Sequence, residues 1–459
     1  MLIIFPITYL LAFLFSFKEV INGRKQGLLL FVIFGLSIYS VTLSVLFVLG
    51  LQDMIVFFQP LKEILILLVL VALIWDFRQP FIMHPVDYAV LIFFTLSCLY
   101  VFLPLGGFSF GERVSALKSM SFFPFVYSAG RLFNLKDFYL SKNFKYALLI
   151  TIAAAIVTMG EGLLGQHFQT ISGYAEYNFY MYDQEPSGNY GLTWTFEASG
   201  FKRFASFFSN PLEHAAATLL ALALIAGLYT NDKNEIKLDM FGKIALAASQ
   251  ISIFFALSRA SLVSYFFIIY VYAFVTNKKS ILNFYYFGFA AVVLYFIYFL
   301  QNEDVYDFVV DTITFENGSS IGHVIEWLAG IESMMANPFG LGLGSSGKVS
   351  NALGLNVGGE NQFIIIGVQV GVIGFLIYLT LQVMLIAFPL KWINRLSGKE
   401  RKLAITVFLL KIGSIIPLMT SDFESYTYTS YFIWFLSGLF INVLSQKMVV
   451  AEKNNALIK

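Results

Sequence analysis

The chain has 459 residues, of which 58% are hydrophobic and only 12% are charged, and its mean hydropathy is +0.76. A soluble domain carries roughly twice that charged fraction, so the composition excludes an ordinary soluble protein. The formal net charge is +1, and the single cysteine, Cys98, excludes both a disulfide framework and a cysteine-based metal site.

Apolar runs recur along the whole chain, and their length of about 16 to 24 residues is what a helix needs to cross a hydrocarbon core. The sequence therefore predicts an all-α, polytopic integral membrane protein with about 12–13 transmembrane helices in one membrane domain, residues 1–459. The N-terminal run lacks a basic region and a cleavage site, so we interpret it as a retained helix. The predicted spans are 2–17, 27–50, 54–75, 87–104, 118–133, 146–160, 206–229, 244–258, 260–276, 281–300, 363–390, 403–420 and 429–446.

The basic residues fall mainly on one side of this threading. About twenty of the 29 Lys and Arg residues lie in one set of connections, and about six lie in the other. This asymmetry is the positive-inside pattern, and it places the N-terminus outside and the C-terminus in the cytoplasm. The six basic residues on the far side are Arg113, Lys118, Lys202, Arg203, Arg259 and Lys348.

Two far-side connections are long, residues 161–205 and residues 301–362. Long connections of this kind are usually functional or disordered, and neither is polar enough to indicate disorder. In the second, His323–Ala336 has apolar residues at helical spacing, which predicts an amphipathic helix lying on the membrane. Asn337-Pro338 is expected to end that helix.

Two arginines are the strongest candidates for a binding role. Arg203 follows Lys202 at the outer mouth of a predicted helix, with Asn210-Pro211 one to two turns deeper, and Arg259 lies between two apolar runs. A guanidinium is planar, always charged and rich in donors, which suits a diphosphate. The alternatives remain open: Arg203 as an interfacial side chain, and Arg259 as a charge that sets the topology. Arg113 is a weaker candidate for binding an anionic head group, or is an ordinary surface charge.

The second long connection ends in a glycine-rich stretch followed by an acidic residue. Gly340, Gly342 and Gly344 follow a predicted helix rather than a strand, so we reject a dinucleotide site. Glu360 and Asn361 then open a long apolar helix. A carboxylate at this position is placed to accept a proton or to bind sugar hydroxyls, although it also suits a helix N-terminus as a purely structural charge.

Aromatic residues are concentrated in the first long connection. Aromatic faces stack on the C–H faces of sugar rings, and the same residues are equally typical of an interfacial aromatic belt. The aromatic residues concerned are Tyr174, Tyr177, Tyr180, Tyr182, Tyr190 and Trp194.

Over residues 200 to 390 these segments together resemble the O-antigen ligase/polymerase family of bacterial inner-membrane proteins. The matching features are Arg203 before Asn210-Pro211, Ser258-Arg259, the stretch from Trp327 to Gly344, and the GVIG sequence from Gly371 to Gly374 as a helix end. Where the family often has His-Asn this chain has Glu360-Asn361, and where an arginine often precedes the tryptophan it has His323. These departures favour a polymerase over a ligase.

The resemblance implies a GT-C-like glycosyltransferase with its active site facing the periplasm. It would move a glycan from an undecaprenyl-diphosphate carrier onto a lipid-linked sugar. Arg203, Arg259 and Arg113 would bind the diphosphate, with Glu360 as the catalytic base and His323 as second choice. Weaker sugar-binding candidates are Lys202, Asn210, Trp327, Asn361, Tyr190 and Trp194.

We expect no cofactor, no metal and no nucleic-acid partner. The expected partners are the lipid-linked oligosaccharide and the bilayer, and a chain-length regulator is a candidate protein partner. Two alternatives stay open: an O-antigen ligase or protein O-oligosaccharyltransferase of the same family, and a flippase or transporter. The last class favours ionisable groups near the midplane, for which the candidates are Lys62, Glu63 and Lys411.

Overall fold

The computed structural model describes residues 2–77, 81–182, 192–198, 200–299, 318–347, 349–350 and 357–457. The helices are α1 (Ile4–Ile21), α2 (Lys25–Val48), α3 (Gln52–Asp76), α4 (Pro85–Phe102), α5 (Phe110–Ser121), α6 (Phe123–Leu132), α7 (Leu140–Leu164), α8 (Phe168–Ile171), α9 (Tyr174–Tyr182), α10 (Pro211–Tyr229), α11 (Met240–Ala256), α12 (Arg259–Val275), α13 (Lys279–Phe299), α14 (Gly318–Ala336), α15 (Gln362–Trp392), α16 (Gly398–Thr420) and α17 (Thr427–Leu457). A two-residue antiparallel pair joins β1 (Glu197–Ala198) to β2 (Phe201–Lys202).

Within these residues, nine helices are long and apolar enough to cross a membrane. They are α1 to α4, α7, α10, α15, α16 and the Thr427–Met448 part of α17. The prediction of an all-α polytopic membrane protein is confirmed at this level. Helices α11 and α12 are apolar but have only 17 residues each, and only Leu257 and Ser258 separate them, so we call the two helices the α11–α12 hairpin.

Two predicted spans have the wrong boundaries. Helix α10 begins at Pro211 rather than at 206, because the Asn210 side chain accepts a hydrogen bond from the Glu213 N–H at 2.9 Å and the proline cannot donate one. The predicted span 118–133 is two helices. A capping box of Ser109 and Glu112 starts α5 eight residues before Lys118. The helix is then interrupted at Phe122, between the end of α5 and the start of α6.

The GVIG sequence does not end a helix; α15 continues to Trp392 and is instead broken at Val370 and Gly371. At the break the glycine-rich segment 338–347 replaces the missing helical bonds. The Leu341 N–H donates to the Val368 carbonyl at 2.7 Å, and the Val372 N–H donates to the Pro338 carbonyl at 2.9 Å. This segment is therefore fixed to α15 through the backbone.

The core of the bundle depends on small residues that let helix backbones touch. A Cβ atom on Gly130 of α6 would lie 2.0 Å from the Phe435 carbonyl oxygen, and one on Gly438 of α17 would lie 2.0 Å from that of Tyr127. In lipid, such close backbone packing is a main source of helix association. Helices α6 and α17 therefore form a tight central pair.

The helix ends sort into two groups, as antiparallel threading requires. The first group, which we call the basic end, contains the connections 22–26, 139–145, 231–239 and 391–402. Two of these connections are in contact there, because Arg401 Nη1 donates a hydrogen bond to the Asn231 carbonyl. The ion pairs at this end include Lys25 with Asp76, Lys145 with Asp239 at 3.2 Å, and Lys447 with Glu400 at 3.0 Å. The other group, the opposite end, carries the candidate site.

Helix α14 agrees with the predicted amphipathic helix and ends at Ala336, directly before Asn337-Pro338. One face of α14 packs on α15 through Met334, which contacts Ile364 and Val368. The other face leaves Ile325, Leu328, Ile331 and Met335 exposed. An exposed apolar stripe at helical spacing is what a helix in contact with lipid presents.

Candidate functional site

The α11–α12 hairpin presents Arg259 at the opposite end. Leu257 has the left-handed backbone that turns the chain, with φ of 45°, and the Ser258 hydroxyl caps α12 by accepting from the Ser261 N–H. Arg259 is the first residue of α12, and its side chain is exposed. The guanidinium is therefore held at a helix start, beside N–H groups that also favour an anion.

Arg203 reaches the same hairpin from the β1–β2 pair. Its N–H donates to the Phe196 carbonyl at 2.9 Å, and the next N–H, that of Phe204, donates to the Phe255 carbonyl at 3.0 Å. The Arg203 Nε then donates to the Ala256 carbonyl at 3.2 Å. The last carbonyls of α11 lack helical partners, so this strand-like segment satisfies them and is fixed against the hairpin.

Electrostatic interactions connect Arg203 with three other residues of the opposite end. Burial lowers the pKa of the Arg203 guanidinium, and the charge of Arg259 lowers it further, whereas Tyr426 and Glu360 raise it. A Coulomb interaction weakens as two charges move apart, so Tyr426, Glu360 and Arg259 all lie near Arg203. The structure thus brings Arg203, Arg259 and Glu360 together, and we call these three residues with Tyr426 the arginine cluster.

Glu360 is placed by two glycines and a helix cap. Gly358 and Gly359 have φ values of +89° and +65°, which turn the chain just before Glu360. The Asn361 side chain accepts from the N–H groups of Phe363 and Ile364 at 3.0 and 3.3 Å, starting α15. Asn361 is therefore a helix cap, and the carboxylate precedes the N-terminus of a long helix.

Tyr426 is a member of the cluster that sequence reasoning missed. Burial raises the pKa of its phenol, and the charges of Glu360, Asp422 and Glu213 contribute in the same direction. Tyr426 belongs to the short connection 421–426 between α16 and α17, which is too short to have attracted attention in the sequence. The only available signal was its Ser-Asp-Phe-Glu-Ser-Tyr composition between two apolar helices.

Three other candidates have local structural partners. Arg113 is buried and donates through Nη1 to the carbonyls of Val101 and Leu103 at 2.7 and 2.8 Å, so it caps the C-terminus of α4. The Lys202 Nζ donates to the Gly165 carbonyl at 2.6 Å. Asn210 caps α10. These hydrogen bonds explain why the three side chains are polar at these positions, and no bound ligand is needed for that explanation.

The remaining sequence candidates are less informative. Trp327 packs beside Met334 and Ile364 between α14 and α15, and its buried Nε1 has no hydrogen-bond partner among the described residues. Tyr190 lies outside the described residues, as do the side chains of Trp194 and His323. Among the residues that the structure describes, no group of three or more His, Cys, Asp or Glu side chains forms a metal site.

A second feature of the opposite end is a cavity of about 410 Å³. The sequence singles out Lys62, Glu63 and Lys118 separately, and only the structure brings them to one space. We call it the charged cavity and define it by Tyr39, Lys62, Glu63, Lys118, Glu424 and Tyr431. The signal in the sequence was the pair Lys62-Glu63 inside an apolar run, which is costly in a membrane unless it is paired or faces water.

Comparison with known proteins does not extend these findings, since no protein-family model and no curated protein matches the chain.

Proposed function

We propose that the chain is a membrane glycosyltransferase that polymerises a glycan carried on a polyprenyl diphosphate. The observation that carries the proposal is the arginine cluster, in which the charges of Arg259 and Glu360, from two different elements, both act on the Arg203 guanidinium. Two guanidinium groups suit a diphosphate because each presents several donors in a plane. The sequence resemblance adds undecaprenyl diphosphate as the carrier and the periplasmic face of a bacterial inner membrane as the location.

In this reaction the bond between the sugar's anomeric carbon and the diphosphate breaks, and a hydroxyl of the lipid-linked acceptor forms the new bond. Glu360 would accept the proton of that hydroxyl. Arg203 and Arg259 would stabilise the negative charge that develops on the departing diphosphate. The N–H groups at the start of α12, where Arg259 lies, would add to this stabilisation.

The test is to express variants in a strain from which the gene has been deleted and to measure the length of its surface glycan. We expect Arg259→Ala and Glu360→Gln each to lower polymerisation by roughly 10²-fold or more. Lys243→Ala, an exposed lysine at the basic end, is the matched control and should retain wild-type chain length. Wild-type chains in both site variants would rule out this mechanism.

A ligase of the same family is the nearest alternative, and the deletion strain itself separates the two. Polymerase loss leaves single repeat units attached to the surface acceptor, because attachment still proceeds. Ligase loss abolishes attachment altogether. We expect the first result.

One observation favours a lipid flippase or transporter as a second candidate. Helix α15 is broken at Val370 and Gly371, and broken helices are typical of transporter binding sites. The buried Lys411 of α16, whose Nζ donates to Gln382 Oε1 at 3.2 Å, adds an ionisable group in the bundle. Accumulation of lipid-linked units on the cytoplasmic leaflet of the deletion strain would support the transporter.

A further inference from the structure

Two charged residues lie near the middle of α3, directly before an apolar run that extends from Ile64 to Trp75. Lys62 and Glu63 are 8% and 9% exposed, and Lys62 Nζ lies 3.9 Å above the ring of Tyr39. Removing charged groups from water costs several kcal/mol per ion unless other interactions repay it. A pair at this position therefore has to be explained by what it faces, which is the charged cavity.

The Glu63 carboxylate retains the capacity to accept hydrogen bonds. It forms ion pairs with Lys62 Nζ at 3.6 Å and with Lys118 Nζ at 3.4 Å. Within the described part of the chain, however, neither of its oxygens accepts a hydrogen bond. Buried carboxylates normally accept several, so hydroxyl donors from a ligand would complete this site.

The other cavity walls supply donors and aromatic surface. Lys118 is half exposed, and Tyr431 stacks on Phe122 with ring centroids 5.5 Å apart. Tyr39 adds a third ring. Two lysines and three glutamates, Glu63, Glu112 and Glu424, line the space, so it has no excess of positive charge. A phosphate is disfavoured in such surroundings, whereas a neutral polyhydroxy ligand uses the donors, acceptors and ring faces together.

The charged cavity adjoins the arginine cluster. Its volume of about 410 Å³ lies within the usual range for small-molecule sites, roughly 300–1,000 Å³. Glu424, Ser425 and Thr427 line it, whereas Tyr426 between them belongs to the arginine cluster. Neighbouring residues of one short segment thus face the two sites.

We propose that the charged cavity is a saccharide-binding site, with Glu63 and Lys118 as its polar contacts. Its ligand would be the glycan part of the lipid-linked substrate, an assignment that rests on the proposed function. The diphosphate would then bind at the arginine cluster and the sugars on the other side of the 421–427 segment. Sugar selection and diphosphate binding are accordingly properties of two separate groups of residues.

Ligand binding to the purified full-length chain in detergent tests this division. The two probes are the neutral oligosaccharide repeat released by hydrolysis from the host's own surface glycan, and sodium pyrophosphate. We expect Lys118→Gln and Glu63→Gln each to weaken binding of the oligosaccharide by about tenfold or more, because each removes a charged hydrogen-bonding partner. Lys243→Gln is the matched control for Lys118→Gln. Should Glu63→Gln fail to fold, Lys118→Gln decides alone, since that side chain is half exposed.

The two probes keep the two proposals apart. Arg259→Ala should weaken pyrophosphate binding and leave oligosaccharide binding unchanged. The saccharide site is overturned if the wild type does not bind the oligosaccharide, or if the cavity variants bind it as well as the wild type does. It is also overturned if only the cavity variants lose pyrophosphate binding. If pyrophosphate binding still depends on Arg259, the proposed function survives that failure. If the wild type binds oligosaccharide at the cavity but no pyrophosphate, the saccharide site stands and the proposed function fails.

Discussion

The Nε of Arg203 donates a hydrogen bond to the carbonyl of Ala256, 3.2 Å away, and so ties the β1–β2 pair to the end of α11. The charge of Arg259, which is three residues after Ala256 in the chain, also acts on the Arg203 guanidinium. Arg203 therefore holds the end of α11 through its side chain, whereas the Arg259 side chain is exposed at the start of α12.

This difference predicts that replacing Arg203 lowers the stability of the protein more than replacing Arg259 does. Arg203→Ala should lower the thermal unfolding temperature in detergent, with a loss of about 1–3 kcal/mol because a buried carbonyl loses its charged donor. Arg259→Ala should lower that temperature less, because the side chain is exposed, while abolishing long-chain glycan. Both quantities are measured on the same preparations, and an equal loss of stability in the two variants would contradict the assignment.

A glycine contact predicts which substitutions the glycine-rich segment tolerates. Gly340 has a φ of +78°, and a Cβ there would lie 2.6 Å from the Gly371 backbone nitrogen. Gly107 has nearly the same φ, +75°, with open space around it. Gly107→Ala should therefore cost only the left-handed strain, about 1–2 kcal/mol, whereas Gly340→Ala should cost clearly more because backbone atoms must move apart. Equal unfolding temperatures for the two variants would show that segment 338–347 is not fixed to α15.

Acid sensitivity is expected from His167, which lies between α7 and α8. Burial, together with a smaller effect of the Lys202 charge, lowers the pKa of its imidazole to about 4. Because the unfolded pKa is about 6.5, the unfolded chain binds the proton more readily, so stability is complete above about pH 6.5 and decreases as the pH falls towards 4. His167→Phe should unfold at temperatures that change less between pH 7 and pH 5 than those of the wild type. An identical change in both proteins would contradict the prediction.

The buried ion pair at the basic end should be structural rather than catalytic. Arg131 Nε lies 3.0 Å from Asp87 Oδ1, and the Tyr127 hydroxyl and Ser445 Oγ complete the network at 2.6 and 2.9 Å. Asp87→Asn should lose about 3–5 kcal/mol of stability, because it leaves the arginine uncompensated. The double variant Asp87→Asn with Arg131→Gln should lose less than the sum of the single losses. Additive losses measured by thermal unfolding would show that the pair is not coupled.

Much of the fold was accessible from the sequence because it depends on local properties. The apolar runs predicted the long helices, and the Asn337-Pro338 pair correctly predicted the end of α14. The errors occurred where a few backbone bonds decide the outcome. Neither the capping box that starts α5 nor the exchange of bonds between segment 338–347 and α15 changes the average hydropathy of its surroundings.

By itself, the sequence determined that this is a helical membrane protein whose basic residues belong mainly to one side. Hydrophobic length and charge sidedness are properties of each segment taken alone. Only the tertiary structure decided that Arg203, Arg259, Glu360 and Tyr426 lie together, and that Lys62 and Lys118 face one cavity. The physical reason is that antiparallel threading assigns each helix end to a side, whereas side-chain packing decides which of those ends become neighbours.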